Sequence, residues 1–241
     1  RFVSAPVERK LLKRADMVIT VATSVVDELK EYGIGQENIR VVTNAVDEII
    51  LSPSQNINTN CKYILYVGRL GYRKGLFDLI ECGKYVCKAN PEITFIIVGK
   101  GLLSQKICDT ISNEGLTNNF KLLGHVNRKE LIQLYQNATI FVSPSHYESG
   151  PITVLEAMSC GKAVVATSVG LVPDLIVNYI NGLVIPPKSP DAMANAIITL
   201  LEDEALRDYI GSNARKTIIE NYTWDIISSS IEEIYQEVLN L

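Results

Sequence analysis

From residue 61 onward, short apolar segments alternate with segments whose apolar residues repeat at helical spacing. Continuous apolar strands separated by helices are typical of a parallel sheet that is covered on both faces. The sequence therefore predicts an α/β domain, a Rossmann-like parallel sheet with helices on both faces. The predicted strands are Tyr63–Val67, Ile93–Val98, Phe120–Leu123, Thr139–Val142, Ala163–Ala166 and Leu183–Ile185. The predicted helices are Gly75–Ala89, Leu102–Glu114, Arg128–Asn137, Ile152–Ser159, Asp191–Leu201, Glu204–Asn221 and Trp224–Leu239.

The segment that precedes this pattern holds too few elements to bury a core of its own. It carries a charged helical start, two apolar strands at Met17–Val21 and Ile39–Val42, and an amphipathic helix between the strands. Thr23 or Ser24 is the predicted N-cap of that helix, because a hydroxyl oxygen there can accept a hydrogen bond from the first turn. We interpret residues 1–51 as the remnant of a first domain, together with the crossover into the Rossmann-like domain.

The domain boundaries follow from a change in composition. Residues 52–60, SPSQNINTN, are polar, short-chained and without periodicity, which predicts a linker. The Rossmann-like domain is then predicted over residues 61–222. The helical segment at 223–241 is predicted to pack back toward the first domain.

Charge and composition exclude several classes of function. The net charge of −4 argues against a nucleic-acid partner recognised through a basic surface. The longest apolar runs, such as Ile93–Val98, are shorter than a membrane span. The five cysteines are odd in number, scattered and without a C-x-x-C pair. They predict reduced thiols rather than a disulfide framework or a metal site, and hence a cytoplasmic location.

The stretch at 143–166 carries the strongest functional signal. It reads as a strand end, a loop, a short helix and the next strand, with Pro151 predicted at the first helical position. A helix start exposes unpaired N–H groups and favours an anion such as phosphate. Glu148 before the helix and Glu156 within it would repel phosphate, but ionised carboxylates suit hydroxyl groups. Phosphate flanked by hydroxyls describes a nucleotide sugar. The alternative, one solvated and one salt-bridged carboxylate, fits the surrounding residues less well.

A second loop, GRLGYRKG at 68–75, also follows a predicted strand. Arg69, Arg73 and Lys74 place cations at a helix start, where they oppose the helix dipole unless an anion joins them. A diphosphate would supply that anion, but a solvated basic turn is an equal alternative on these residues alone. In a parallel sheet this loop and the loop before Glu148 lie at the same edge, where ligands bind.

Two further loops and the two histidines give weaker signals. Gly99 and Gly101 permit a close backbone approach, but a plain turn needs the same residues. His125 is an isolated histidine, which is more often structural. His146 could be a general base, but no carboxylate partner is evident for it.

Together these residues resemble the nucleotide-binding half of a retaining glycosyltransferase of group 1 (family 4), which has the GT-B architecture. The central motif is a glutamate, seven residues and a second glutamate, here Glu148-SGPITVL-Glu156. The turn with Arg69 and Lys74 matches as well, and residues 14–47 resemble the end of the family's first domain. The similarity covers nearly the whole chain and implies that the Rossmann-like part is the second domain of a GT-B fold.

The resemblance implies roles for individual residues. Arg69 and Lys74 would hold the donor diphosphate and stabilise the leaving group, and Glu148 would hold the donor sugar; these three are the implied catalytic residues. Glu156 would bind the ribose hydroxyls, and the main chain near His125 would face the base. The implied donor-binding residues are Gly68, Gly99, Gly101, His125, Val126, Ser149, Gly150, Pro151, Ile152 and Glu156.

The resemblance also implies the reaction and its partners. A hexose-type sugar would move, with retention, from a nucleoside-diphosphate sugar to a hydroxyl of a glycan, lipid or other acceptor. No metal and no cofactor would be required, because Arg69 and Lys74 neutralise the leaving group. The acceptor would bind to the first domain, so this chain alone is expected to bind donor but transfer nothing. The full-length protein could associate with the inner face of a membrane.

Other functions remain open, and the chain departs from the family pattern. A non-catalytic nucleotide-sugar-binding module, or a subunit completed by another chain, would keep the same pocket. A phosphorylase or an epimerase fits less well, because the serial order of motifs matches the transferases. Ser149 replaces the usual glycine of the motif, and Leu171 stands where a second glycine often follows Gly170. The first domain, which in this family usually supplies a catalytic histidine, is mostly missing, and neither His125 nor His146 matches that histidine.

Overall fold

A computed structural model describes residues 5–54 and 62–240 of the chain. The linker predicted at 52–60 therefore lies mostly outside the described residues. Two short strands near the start, β1 (Val18–Thr20) and β2 (Ile39–Val41), pair in parallel as a small separate sheet.

The main sheet has six parallel strands, which confirms the predicted fold class. Its strands are β3 (Tyr63–Val67), β4 (Thr94–Val98), β5 (Phe120–Gly124), β6 (Ile140–Ser143), β7 (Ala163–Thr167) and β8 (Leu183–Ile185). The helices before and within this sheet are α1 (Ala5–Leu12), α2 (Val26–Glu31), α3 (Leu76–Ala89), α4 (Ser104–Asn113), α5 (Arg128–Asn137) and α6 (Ile152–Ser159). The later helices are α7 (Val172–Leu175), which was not predicted, α8 (Pro190–Glu202), α9 (Glu204–Asn221) and α10 (Trp224–Leu239).

Helices cover both faces of the sheet because its strands are apolar on both sides. On one face α3, α4 and α8 pack against it, with Leu79 and Ile197 fully buried. On the other face α5, α6 and α9 pack against it, with Leu155 and Ile218 fully buried. The core therefore lies in two layers separated by the sheet.

The strand order is β5-β4-β3-β6-β7-β8, so β3 and β6 are neighbours at the centre of the sheet. The chain leaves β3 toward one edge and returns at β6 to build the other half. The helix after β3 covers one face and the helix after β6 covers the opposite face. Loops that diverge in this way leave a crevice beyond the carboxyl ends of the two strands, which is where ligands bind in open α/β sheets.

The first part of the chain packs onto the last helix. Ile227 and Ile234 of α10 form a small apolar cluster with Val42 and Ala45. The carbonyl of Leu51, a fully buried residue, accepts hydrogen bonds from the Arg215 guanidinium and from a serine hydroxyl of α6. The crossover is thus held by both apolar and polar contacts.

The predicted N-cap of α2 is wrong. Thr23 and Ser24 lie in a 3₁₀ turn, and α2 begins at Val26 without a side-chain cap. Instead Asp174 of α7 accepts hydrogen bonds from the backbone N–H of Thr23 at 3.1 Å and from its hydroxyl at 2.7 Å. A carboxylate that is distant in sequence therefore accepts the hydrogen bond of the backbone N–H at the start of this segment, and local spacing does not indicate this contact.

Candidate functional site

A cleft of about 610 Å³ opens at the carboxyl end of β3, where the loops after β3 and β6 meet. It is lined by the loop at 69–74, by Leu102 and Leu103 before α4, and by Tyr147 and Glu148. Arg69, Lys74 and Glu148, the three residues predicted to be catalytic, all face this one cleft. The strand order explains their proximity, because these residues follow the two central strands.

The predicted glycines lie where backbones from neighbouring loops come close together. A Cβ on Gly99, whose φ is +136°, would lie 1.9 Å from the carbonyl oxygen of Gly68. One on Gly101 would lie 2.1 Å from the carbonyl oxygen of Leu70. No side chain fits in these gaps, so the glycines bring the loop after β4 against the loop after β3.

Ion pairing sets the electrostatics of the cleft. The Lys74 ammonium forms an ion pair with the Glu148 carboxylate, and both side chains are partly buried. Arg69 is exposed, and the Arg73 guanidinium carbon lies 5.2 Å from the centre of the Tyr147 ring. With Lys74 and Glu148 neutralising each other, the two arginines give the cleft a positive charge, which favours a ligand with two negative charges.

The structure provides the carboxylate partner that the sequence did not show for His146. The Nε2 atom of His146 lies 2.5 Å from Oδ2 of Asp78, in the first turn of α3. The backbone N–H of His146 also donates to the carbonyl of Arg73 at 2.8 Å. The expectation of an unpartnered histidine was therefore wrong. The only local signal for the pair was an acidic residue in the first turn of a helix that follows a basic loop.

The start of α6 lies beside the cleft. Pro151 is the residue before the helix rather than its first residue, so the predicted position was off by one. Within the described residues, no hydrogen bond occupies the backbone N–H of Gly150 or Ile152, and the N–H of Ser149 donates only to its neighbour Glu148 at 3.3 Å. These N–H groups can therefore bind an anion at the positive end of the helix.

Glu156 is held by side chains of α5. Its Oε1 accepts from Arg128 at 2.7 Å and its Oε2 accepts from the Tyr135 hydroxyl at 2.8 Å, and the residue is 8% exposed. Burial and the nearby Glu156 carboxylate raise the pKa of Tyr135 well above its usual value, so this hydroxyl remains a donor. The sequence analysis missed both residues. Arg128 and Tyr135 lie about two turns apart on one face of α5, and that spacing is the one signal that could have grouped them. The Arg128 side chain is 53% exposed, whereas the Glu156 side chain is only 10% exposed.

The remaining predicted residues lie around this edge of the sheet. His125 is exposed just after β5, and Val126 is buried in the core layer under α5. The carbonyl of Gly124 accepts from the N–H of Gly99 at 2.7 Å, so the loops after β4 and β5 are joined. Ile152 is exposed at the start of α6. The roles of these residues toward a base or sugar stay predictions.

Among the described residues, no three histidine, cysteine, aspartate or glutamate side chains come together in a way that could hold a metal ion. Across residues 5–54 and 62–240, no helix is both long and apolar enough to cross a membrane.

Comparisons with known proteins identify what this site is similar to. Residues 47–217 match a family model described as "Glycosyl transferases group 1", and residues 1–48 match one described as "Glycosyltransferase Family 4". An uncharacterized glycosyltransferase of Methanocaldococcus jannaschii is 32% identical over 93% of this chain and 60% of its own length. The glycogen synthase of Mycobacterium tuberculosis is 28% identical over 95% of this chain and 56% of its own length. The chain therefore spans about 60% of the length of such relatives.

Solved structures give the same result for the fold. The sucrose-phosphate synthase of Thermosynechococcus elongatus matches with a TM-score of 0.89 and 25% identity, over 100% of this chain and 62% of that one. Anabaena HepE in complex with UDP-glucose matches with a TM-score of 0.87 and 25% identity, over 96% of this chain and 67% of that one.

Proposed function

This chain belongs to the group 1 glycosyl transferases, and from that premise we propose that it is the donor-binding part of a retaining hexosyltransferase. Its donor would be a nucleoside-diphosphate sugar, and its acceptor a hydroxyl of a glycan, lipid or other molecule. The observation that carries the proposal is the convergence of Arg69, Lys74 and Glu148 on one cleft at the centre of the sheet.

The charges of the cleft support this assignment. Arg69 and Lys74 would bind the diphosphate of the donor and neutralise it as the sugar departs, which is the role of a metal ion in other enzymes. The N–H groups at the start of α6 would hold the same phosphates. Glu148, which lines the same cleft, would accept hydrogen bonds from sugar hydroxyls. We propose that Glu156 binds the ribose once Arg128 moves aside.

The reaction would proceed as a front-side substitution. The bond between the anomeric carbon and the phosphate oxygen would break, and the sugar would gain positive charge. The acceptor oxygen would bond to the anomeric carbon from the same face, while the departing phosphate takes the proton of that hydroxyl. Arg69 and Lys74 would stabilise the negative charge that develops on the phosphate. The relatives are longer than this chain, and we propose that the acceptor binds to their additional part. This chain alone would then bind the donor without transferring its sugar.

We expect the chain to bind uridine diphosphate, and the HepE complex makes uridine the first base to test. Isothermal titration calorimetry with the uridine, guanosine and adenosine diphosphates measures this directly. One of them is expected to bind with a Kd in the micromolar range, and the matching monophosphate about tenfold more weakly, because it lacks one phosphate for the cations. Absence of binding for every nucleotide, on protein shown to be folded, would overturn the proposal.

A non-catalytic nucleotide-sugar-binding module is the second candidate, because its pocket would be the same. The two differ in the full-length protein, where an enzyme releases nucleoside diphosphate only when an acceptor hydroxyl is present. We also propose a cytoplasmic location, with the full-length protein able to associate with the inner face of a membrane. The buried free thiols of Cys82 and Cys160 support the cytoplasmic location. Cell fractionation tests both the location and the membrane association.

A further inference from the structure

Three successive residues of the loop after β6 each contact a different residue at or just before the start of α3. We call these contacts the loop clasp. Its pairs are His146 with Asp78, Tyr147 with Arg73, and Glu148 with Lys74. The last two pairs line the cleft, whereas His146 and Asp78 are not among its lining residues.

The His146–Asp78 pair is the best-fixed part of the loop clasp. The imidazole and carboxylate are 2.5 Å apart, and their side chains are only 26% and 21% exposed. The backbone of His146 is held as well, through its N–H on the carbonyl of Arg73. Asp78 belongs to a regular helix of 14 residues, so it is a rigid point of attachment for a loop that has no secondary structure of its own.

We propose that Asp78 and His146 are positioning residues for donor binding. Their pair holds the loop after β6 against α3, and this fixes the distance between Lys74 and Glu148, which follow in the loop clasp. A diphosphate sugar needs a cation on its phosphates and a carboxylate on its hydroxyls at one defined separation. Side chains that are already held in place lose less conformational entropy when the ligand binds, so the ligand binds more tightly. This inference rests on the proposed function of the same cleft.

A double-mutant cycle on the full chain tests the proposal. Asp78→Ala and His146→Phe each remove the hydrogen bond, and the phenyl ring retains most of the imidazole volume. Each single variant is expected to bind UDP-glucose, the ligand of the HepE complex, about tenfold more weakly, and the double variant no more weakly than either one, because both changes break the same contact. His146→Gln keeps an N–H donor and is expected to bind within about threefold of wild type.

The control is Glu81→Ala, which removes a carboxylate further along α3 that pairs with Lys84 away from the cleft. Its affinity is expected to equal that of wild type. Thermal unfolding is measured for each variant, since a purely structural role would lower the melting temperature and leave affinity unchanged. If Asp78→Ala fails to fold, the difference in affinity between His146→Phe and His146→Gln is enough to test the proposal.

Two results overturn the positioning role while leaving the proposed function intact. One is wild-type affinity in folded His146→Phe. The other is losses that multiply in the double variant, which would mean that the two residues act independently. Failure of the wild-type chain to bind any nucleoside diphosphate is a different outcome, because it overturns the function on which the inference rests.

Discussion

Replacing Lys74 by alanine is expected to weaken the binding of uridine diphosphate by about 100-fold, or about 2.7 kcal/mol. Two effects combine in this loss. The ammonium can no longer donate charge-assisted hydrogen bonds to the phosphates, which are worth roughly 1.5–3 kcal/mol each. The Glu148 carboxylate, which the ammonium neutralises in the structure, is left unpaired and repels the diphosphate. Calorimetry on the folded variant measures the effect.

Two companion variants separate these effects. Arg73→Ala removes a neighbouring cation that is exposed and stacked on Tyr147, and a loss of no more than about threefold is expected. The double variant Lys74→Ala/Glu148→Gln is expected to regain about tenfold in affinity over Lys74→Ala, because the repelling charge is gone. Equal losses of affinity for Lys74→Ala and Arg73→Ala would show that the wrong cation has been assigned to the diphosphate. If the double variant regains no affinity, repulsion by the unpaired Glu148 carboxylate does not contribute to the loss.

The sheet and its helices were predictable because their signals are local. Apolar runs mark strands, and helical spacing marks the segments between them, so β3, α5, α6, α9 and α10 have the predicted bounds. The convergence of Arg69 with Glu148 was predictable as well, since loops after parallel strands share an edge. The strand order that makes β3 and β6 neighbours was not specified by these patterns, because it depends on how the two halves of the chain pack.

The partners of the site residues were mostly missed, for a different reason. Asp78 is 68 positions from His146, and Asp174 is 151 positions from Thr23. Such pairs depend on the tertiary arrangement and leave no trace in spacing. The Glu148–Lys74 ion pair belongs to the same class, although both residues had been singled out separately. Sequence patterns thus identified the groups in the site but not how those groups hold one another in place.

Gly75→Ala is expected to lower the free energy of unfolding by at least about 3 kcal/mol and to abolish measurable nucleotide binding. Gly75 is the residue immediately before α3 and has φ at +65°, a conformation that costs a residue with a side chain roughly 1–2 kcal/mol. A Cβ there would also lie 1.8 Å from the carbonyl oxygen of Pro144, which is backbone and cannot swing aside. The loops after β3 and β6 would have to separate, and the cleft lies between them. Urea unfolding measures the free-energy change.

Gly71→Ala is the matched control for stability, because it makes the same chemical change in the same loop. Gly71 has φ at −138°, which any residue adopts, and a Cβ there would meet nothing within 4 Å. Its free energy of unfolding is expected to stay within about 0.5 kcal/mol of wild type. Equal stability of the two variants would contradict the close approach of Gly75 to Pro144. Normal stability with lost binding in Gly75→Ala would show that the loops can separate without unfolding, and that donor binding depends on their contact.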